Sequence, residues 1–246
     1  SIPALAEPSV IVLDEQSGEV VYESNAKSPR KPASVIKLIS AASAYTYLNP
    51  TDSFTTSLWT GSDGKSVVIQ GSLDPWISYQ HKVAVAMNRT SLERFEFNAL
   101  TTLKERNSGS TKGTTIYYSD LYASDVNHIK NFLKDHRVST QLKRLTSTQA
   151  VEKSDESLII SNSPTLQKIL DWTLVWSDNL LAERIARLAS VAAGHSLDDA
   201  GVAKTFAELL AGMRISTSNL VIKDASGLSK ENRVSAEQIS QLLMVM

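Results

Sequence analysis

The amino-acid sequence predicts a mixed fold of the α/β (α+β) class, built in two parts. Three observations carry this expectation. A β-hairpin pattern opens the chain, apolar runs at helical spacing follow Ser34 and Pro164, and the stretch between them shifts toward Thr, Ser and turn residues. With 246 residues the chain can bury a substantial core, as one large domain or two smaller ones.

The elements come in this order. In "PSVIVLDEQSGEVVYESN" the apolar runs Val10–Leu13 and Val20–Tyr22 flank a turn over Asp14–Gly18. Two prolines in "SPRKPA" delay the next helix. From Ser34 the positions Val35, Leu38, Ile39, Ala42 and Tyr45 keep helical period, and Asn49-Pro50 ends that helix. Residues 51–157 read as an inserted domain, with residues 1–50 and 158–246 forming the main one. In the insert, "FTTSLWTGSDGKSVVIQGSLDPW" suggests short strands about an Asp63-Gly64 turn. "SGSTKGTT" (108–115) reads as a surface loop and "SDVNHIKNFLKDHRV" as a helix. After Ser163-Pro164 the pattern predicts two helices meeting at Ser177-Asp178-Asn179 rather than one long helix. "SLDDAGVAKTFAELLAGM" is a helix with Ser196 as its N-cap, and "LVIKDASGLSKENRV" holds a short strand and a Gly-bearing turn. Ser235 and Gln238 make a capping box that opens the last helix.

Composition removes several classes of function. A formal net charge of −1 and a pI of about 6.4 give no pull toward nucleic acid. The chain has no cysteine, which excludes disulfides, thiol catalysis and zinc–thiolate sites. The four histidines, His81, His128, His136 and His195, lack metal-ligand spacing, and no cofactor is expected. No apolar run reaches the length of a membrane span. The opening "SIPALAEPSV" lacks the form of a signal peptide, so an exported protein is expected to have lost its leader.

Four S-x-x-K patterns occur, starting at Ser24, Ser28, Ser34 and Ser62. Only Ser34 opens a strongly apolar helix; the others sit in turn-like sequence. Residues three apart share a helical face, so Lys37 can reach the Ser34 hydroxyl. Ile36 and Leu38 flank Lys37, and burial would favour its neutral, basic form. A helix start also offers backbone N–H groups to a developing oxyanion. The bland reading of the same residues is a helix cap beside a solvated lysine. Ser177-Asp178-Asn179 is the only S-x-N in the chain, and its bland reading is a polar turn between helices. Together, S-x-x-K and S-D-N are signatures of penicillin-binding proteins and class A β-lactamases.

The sequence resembles the low-molecular-mass class C penicillin-binding proteins, the D-alanyl-D-alanine carboxypeptidases/endopeptidases. The resemblance rests on "KPASVIKL", "GSLDPWIS", "SPTLQKILDWTLVWSDNLLAERIAR" and "KDASGLSKENRVSAEQISQLL", which occur in the family's order across nearly the whole chain. It implies a penicillin-binding/β-lactamase-like transpeptidase fold, with an antiparallel sheet flanked by helices and an inserted domain. It also implies that Ser34 is the nucleophile, Lys37 its base, Ser177 a proton shuttle and Asn179 a binding group that steadies Lys37. The implied substrates are peptidoglycan stem peptides, with β-lactam antibiotics as acylating mimics, in an extracytoplasmic setting. Asp120 and Tyr122 in "IYYSDLYASD" are the candidates for reading the stem peptide's diamino acid.

The third family signature, Lys-Thr-Gly, is absent from the sequence. The family places it beyond the position of Met246, so the natural chain is expected to continue into that strand, and the sheet is expected to be incomplete here. Its absence keeps open a non-catalytic scaffold of the same fold. A class A β-lactamase is the other alternative, although the E-x-x-L-N loop it needs is missing. Asp74 and Asp224 read as turn and backbone-bonding residues.

Overall fold

The computed structural model describes residues 7–246; the first six residues of the opening segment lie outside the described residues. The chain divides into two compact units, one containing the stretch up to Thr51 together with Leu166–Met246, the other Asp52–Thr165.

The first unit opens with antiparallel strands β1 (Val10–Leu13) and β2 (Val20–Ser24). Their turn is built by Asp14, whose Oδ1 accepts from the Gln16 and Ser17 N–H groups and the Ser17 hydroxyl. Next comes a 3₁₀ turn over Ala33–Ile36, which leads into helix α1 (Lys37–Tyr47). Ser34 therefore sits inside a tight turn ahead of the helix and does not cap it.

The second unit is richer in regular structure than its composition suggests. Strands β3 (Thr55–Gly61) and β4 (Ser66–Gln70) form the expected hairpin, with Gly64 at φ +73° in its turn. Short strands β5 (Ile77–Ser78) and β6 (Thr90–Ser91) bracket helix α2 (His81–Met87). Helix α3 (Leu92–Arg106) follows, capped by the Ser91 hydroxyl, which accepts from the Arg94 N–H. Then come β7 (Thr114–Ser119), α4 (Ala123–Asp135), β8 (Thr140–Arg144), α5 (Ser147–Lys153) and β9 (Ser154–Asn162). Thr114 and Thr115, expected in a loop, belong to β7.

The five-stranded sheet has the order β8-β7-β4-β3-β9, with β4, β7 and β8 parallel and β9 antiparallel to β3. Parallel neighbours need helical crossovers, which α3 and α4 provide. Central β4 carries Val67, Val68 and Ile69 fully buried, as a strand covered on both faces requires. The core adds Leu58, Phe95, Leu103, Ile116 and Ile129. Strand β9 crosses the 157/158 boundary expected from the sequence. Its pairing with β3 from Gly61↔Ser154 to Thr55↔Asn162 ties it to this unit, which ends at Thr165.

Returning to the first unit, helices α6 (Leu166–Trp176) and α7 (Asn179–Ala192) are separated at Ser177-Asp178. Ser177 adopts φ +55°, a left-handed turn conformation, and the Asp178 carboxylate caps α7 by accepting the Leu181 N–H at 3.1 Å. Helix α8 (Asp199–Gly212) starts from Asp198, not Ser196. The Asp198 carboxylate takes the Gly201 N–H at 2.8 Å and occupies the Ser196 hydroxyl at 2.7 Å.

The strand expected within residues 220–234 does not form. Only isolated bridges, Val221↔Arg233 and Arg30↔Val234, are present, because Asp224 and Asn232 side chains capture the local backbone N–H groups. Helix α9 (Ala236–Val245) opens with the expected Ser235–Gln238 box. Among the described residues of this unit, β1 and β2 are the only strands, so the antiparallel sheet implied for it is two-stranded here. The core packs Ile36, Ile39 and Ala42 against Ala186, Phe206, Leu210, Ala225 and Leu242. Burying a side chain such as Phe206 stabilises by roughly 1.5–3 kcal/mol. No described helix is long and apolar enough to cross a membrane.

Candidate active site

Five residues from three segments of the first unit meet at one point. Lys37, the first residue of α1, is 3% exposed, and its ammonium donates to Ser34 Oγ at 3.0 Å, Asn179 Oδ1 at 2.7 Å and the Ser226 carbonyl at 2.6 Å. Ser177 Oγ donates to Ser34 Oγ at 2.9 Å. The left-handed turn at Ser177 sets its side chain just ahead of α7, and Asn179 begins that helix.

This contact set determines what Lys37 can do. An ammonium has three donors, and all three are engaged. A neutral amine has two N–H groups and one lone pair. Asn179 Oδ1 and the Ser226 carbonyl can only accept, so they would take both N–H groups and leave the lone pair facing the Ser34 hydroxyl. Burial lowers the Lys37 pKa, and the carboxylates of Asp224, Glu183 and Asp178 partly oppose that shift.

The loop that carries Ser226 is itself fixed. Glu183 Oε1 accepts the N–H groups of Ala225 at 3.0 Å and Ser226 at 2.9 Å, while the Ser40 hydroxyl donates to the Ala225 carbonyl at 2.8 Å. The Asp224 carboxylate accepts the N–H of Gly227 at 2.7 Å, that of Ser229 at 2.5 Å and the Asn232 side-chain amide at 2.9 Å. Gly227, at φ +90°, lies against the Ala33-Ser34 peptide so closely that a Cβ there would fall 1.9 Å from the Ala33 oxygen.

Sequence reasoning missed Ser40, Glu183 and Ser226. The signal for two of them was spacing, since Ser40 follows Lys37 by one helical turn and Glu183 follows Asn179 likewise. Ser226 contributes a backbone carbonyl, which no side-chain pattern encodes.

Asp120 and Tyr122 lie in the second unit. Asp120 accepts from the Ser147 hydroxyl at 2.7 Å, and its carbonyl takes the Leu73 N–H at 2.8 Å. Tyr122 is 3% exposed at the start of α4, where its ring is buried within this unit. Asp74 is buried and accepts from the Thr56 and Thr90 hydroxyls and the Trp76 N–H, a structural part. Among the described residues no group of three or more His, Cys, Asp or Glu is placed to hold a metal ion.

No curated protein matches this chain in sequence. Solved structures do match in shape. Penicillin binding protein 4 from Haemophilus influenzae aligns with a TM-score of 0.63 at 13% identity, over 96% of this chain and 74% of that one. The same protein in complex with a novel β-lactam gives 0.64 at 14% identity, over 96% and 73%. A predatory peptidoglycan endopeptidase from Bdellovibrio bacteriovorus gives 0.59 at 14% identity, over 96% and 69%. The fold is thus the mixed α/β, penicillin-binding-protein-like one. The model of one family covers residues 2–102 and 102–246, so that the Ser34–Lys37–Ser177–Asn179 cluster lies within matched sequence and the chain belongs to the D-Ala-D-Ala carboxypeptidase 3 (S13) family.

Proposed function

We propose that Ser34 is the nucleophile of a serine D,D-carboxypeptidase/endopeptidase that acts on peptidoglycan stem peptides and is acylated by β-lactams. The observation that carries this reading is the Lys37 amine at 3.0 Å from Ser34 Oγ, with its two other contacts both pure acceptors. Neutral Lys37 takes the Ser34 proton as Oγ bonds to the carbonyl carbon of the penultimate D-Ala. The C–N bond to the terminal residue breaks, and Ser177, 2.9 Å from Ser34 Oγ, relays the proton to the departing amine. Water then hydrolyses the ester and restores the Ser34 hydroxyl. Asn179 steadies Lys37 and binds the peptide backbone.

Family membership supports this chemistry, as do neighbours described as a peptidoglycan endopeptidase and, in another of its structures, as penicillin G acylated. Since the substrate lies outside the cytoplasm, the site works in an extracytoplasmic space. No nucleic acid enters this reading.

Incubating the full-length protein with fluorescent penicillin tests it directly. The wild type takes a covalent label, the Ser34→Ala variant takes none, and D-Ala is released from a diacyl-D-Ala-D-Ala peptide by the wild type alone. A Ser34→Ala variant labelled as well as the wild type would sink the assignment. An unlabelled wild type would instead favour a non-catalytic scaffold of the same fold.

A further inference from the structure

We infer that Glu183 is a positioning residue for the Ser34–Lys37 pair, acting through the backbone of Ala225 and Ser226. The inference rests on the function proposed above and identifies what keeps that site's base in place.

Ser226 is held at both ends of its peptide groups. Its N–H donates to Glu183 Oε1 at 2.9 Å, and its carbonyl accepts from Lys37 Nζ at 2.6 Å. The residue before it is held the same way, with the Ala225 N–H on the same carboxylate oxygen at 3.0 Å and its carbonyl on Ser40 Oγ at 2.8 Å. The segment is therefore clamped between α7, which presents the carboxylate, and α1, which presents Ser40 and Lys37. Hydrogen bonds to an ionised carboxylate are roughly twice as strong as neutral ones, so Glu183 is the firmer jaw of the clamp.

Both acceptors that aim the Lys37 amine consequently depend on α7. Asn179 Oδ1 reaches Nζ directly, and the Ser226 carbonyl is aimed by Glu183 one turn further on. The two acceptors share one rigid element, so the lysine lone pair keeps its direction toward Ser34 when the helix shifts slightly. Without the carboxylate, the 225–226 peptides lose both N–H partners and the carbonyl opposite Lys37 is free to rotate.

The charges facing Lys37 are Asp178 at the start of α7, Glu183 on α7 and Asp224 in the loop. Arg187, one turn beyond Glu183, stands 3.6 Å from Glu183 Oε2 and 2.6 Å from Asp199 Oδ1. Removing the Glu183 charge leaves Lys37 with fewer neighbouring carboxylates, so its proton is held less tightly.

Two variants separate geometry from charge. Glu183→Ala loses both, and Ser34 acylation slows about 10- to 100-fold across the pH range, as a misaligned base predicts. Glu183→Gln keeps an acceptor oxygen for the two N–H groups. Its plateau rate stays within about threefold of wild type, and the acid limb of its acylation profile moves to lower pH. A residue that only supports folding would lower the labelled fraction and leave that limb unmoved. The same shift is read without turnover by following the Lys37 Cε resonance of the full chain through a pH titration, assigned with Lys37→Arg. An unacylated wild type would count against the proposed function. A Lys37 titration and acid limb unmoved in Glu183→Gln, with Glu183→Ala folded and acylated at the wild-type rate, would overturn the inference.

Discussion

Replacing Gly227 with alanine measures how tightly Ser34 is held. The new Cβ would lie 1.9 Å from the Ala33 carbonyl oxygen, 2.3 Å from its carbon and 3.0 Å from the Ser34 nitrogen. Ordinary contact begins at 3.4 Å, so the two backbones must part by roughly 1.5 Å, the difference from 1.9 Å. No flexible side chain can absorb that movement, because every atom approached is backbone. Gly227 also has φ +90°, which adds about 1 kcal/mol or more for a residue with a Cβ. The displaced peptide is the one that leads into Ser34, and a shift of about 1 Å in a reacting group can cost about 100-fold in rate. Acylation by fluorescent penicillin is therefore expected to slow at least about 100-fold. The stability loss of about 1–3 kcal/mol, typical of overpacking, is small enough for most of the protein to remain folded. Time courses of labelling, run beside thermal melts, read both quantities. A folded alanine variant acylated within about threefold of the wild type would refute the claim that this contact holds Ser34 in place.

The second unit offers two tests of its own. Burial alone would raise the Asp63 carboxyl, but the Lys153 ammonium at 2.8 Å, the Ser66 hydroxyl and the Lys65 N–H outweigh it and hold the pKa at about 2. A depressed carboxylate stabilises above its unfolded value of 3.8 and loses that contribution as pH falls toward about 2. Both partners are partly exposed, so screening reduces the contribution. Asp63→Asn should cost about 1 kcal/mol in urea unfolding at neutral pH, with the difference shrinking in acid; an equal difference at all pH values would contradict the ion pair. Glu96 is 2% exposed, with Oε1 at 3.0 Å from His128 Nδ1 and no hydrogen-bond partner for Oε2 among the described residues. Burial raises its pKa and His128 partly opposes this, so its ionisation costs stability as pH rises above the unfolded value of 4.5. Glu96→Gln should unfold at the same or higher urea concentration than wild type at neutral pH, and a loss above about 1 kcal/mol would contradict the burial argument.

Much of the site was legible because side chains at short spacing encode it. Ser34 and Lys37 share one turn, and Ser177-Asp178-Asn179 interrupts two apolar stretches, so each half could be found locally. Their meeting across the chain could not be derived from spacing and came from resemblance. The parts that stayed hidden are of other kinds. Ser226 acts through a carbonyl, and Glu183 acts through two N–H groups of a distant loop. In the second unit, α3 carries a helical stripe of Leu92, Phe95, Ala99, Leu100 and Leu103, but the polar residues between them masked it. Strand β8, "TQLKR", is largely exposed and exists because β7 offers it a partner, not because of its own pattern. Ser196 resembled an N-cap until Asp198, two residues on, engaged its hydroxyl.

The first and last strands of the second unit are neighbours, and just beyond them the Phe54 N–H donates to Ser163 Oγ and the Ser163 N–H to the Phe54 carbonyl, both at 2.8 Å. In the first unit the Pro50 carbonyl takes the Gln167 N–H at 2.9 Å. The polypeptide thus departs after Thr51 and returns by Leu166 through a narrow stem that the inserted unit fastens for itself. To the host, a detour from Asp52 to Thr165 is hardly different from a tight turn, since the entropy of closing it is met within the insert.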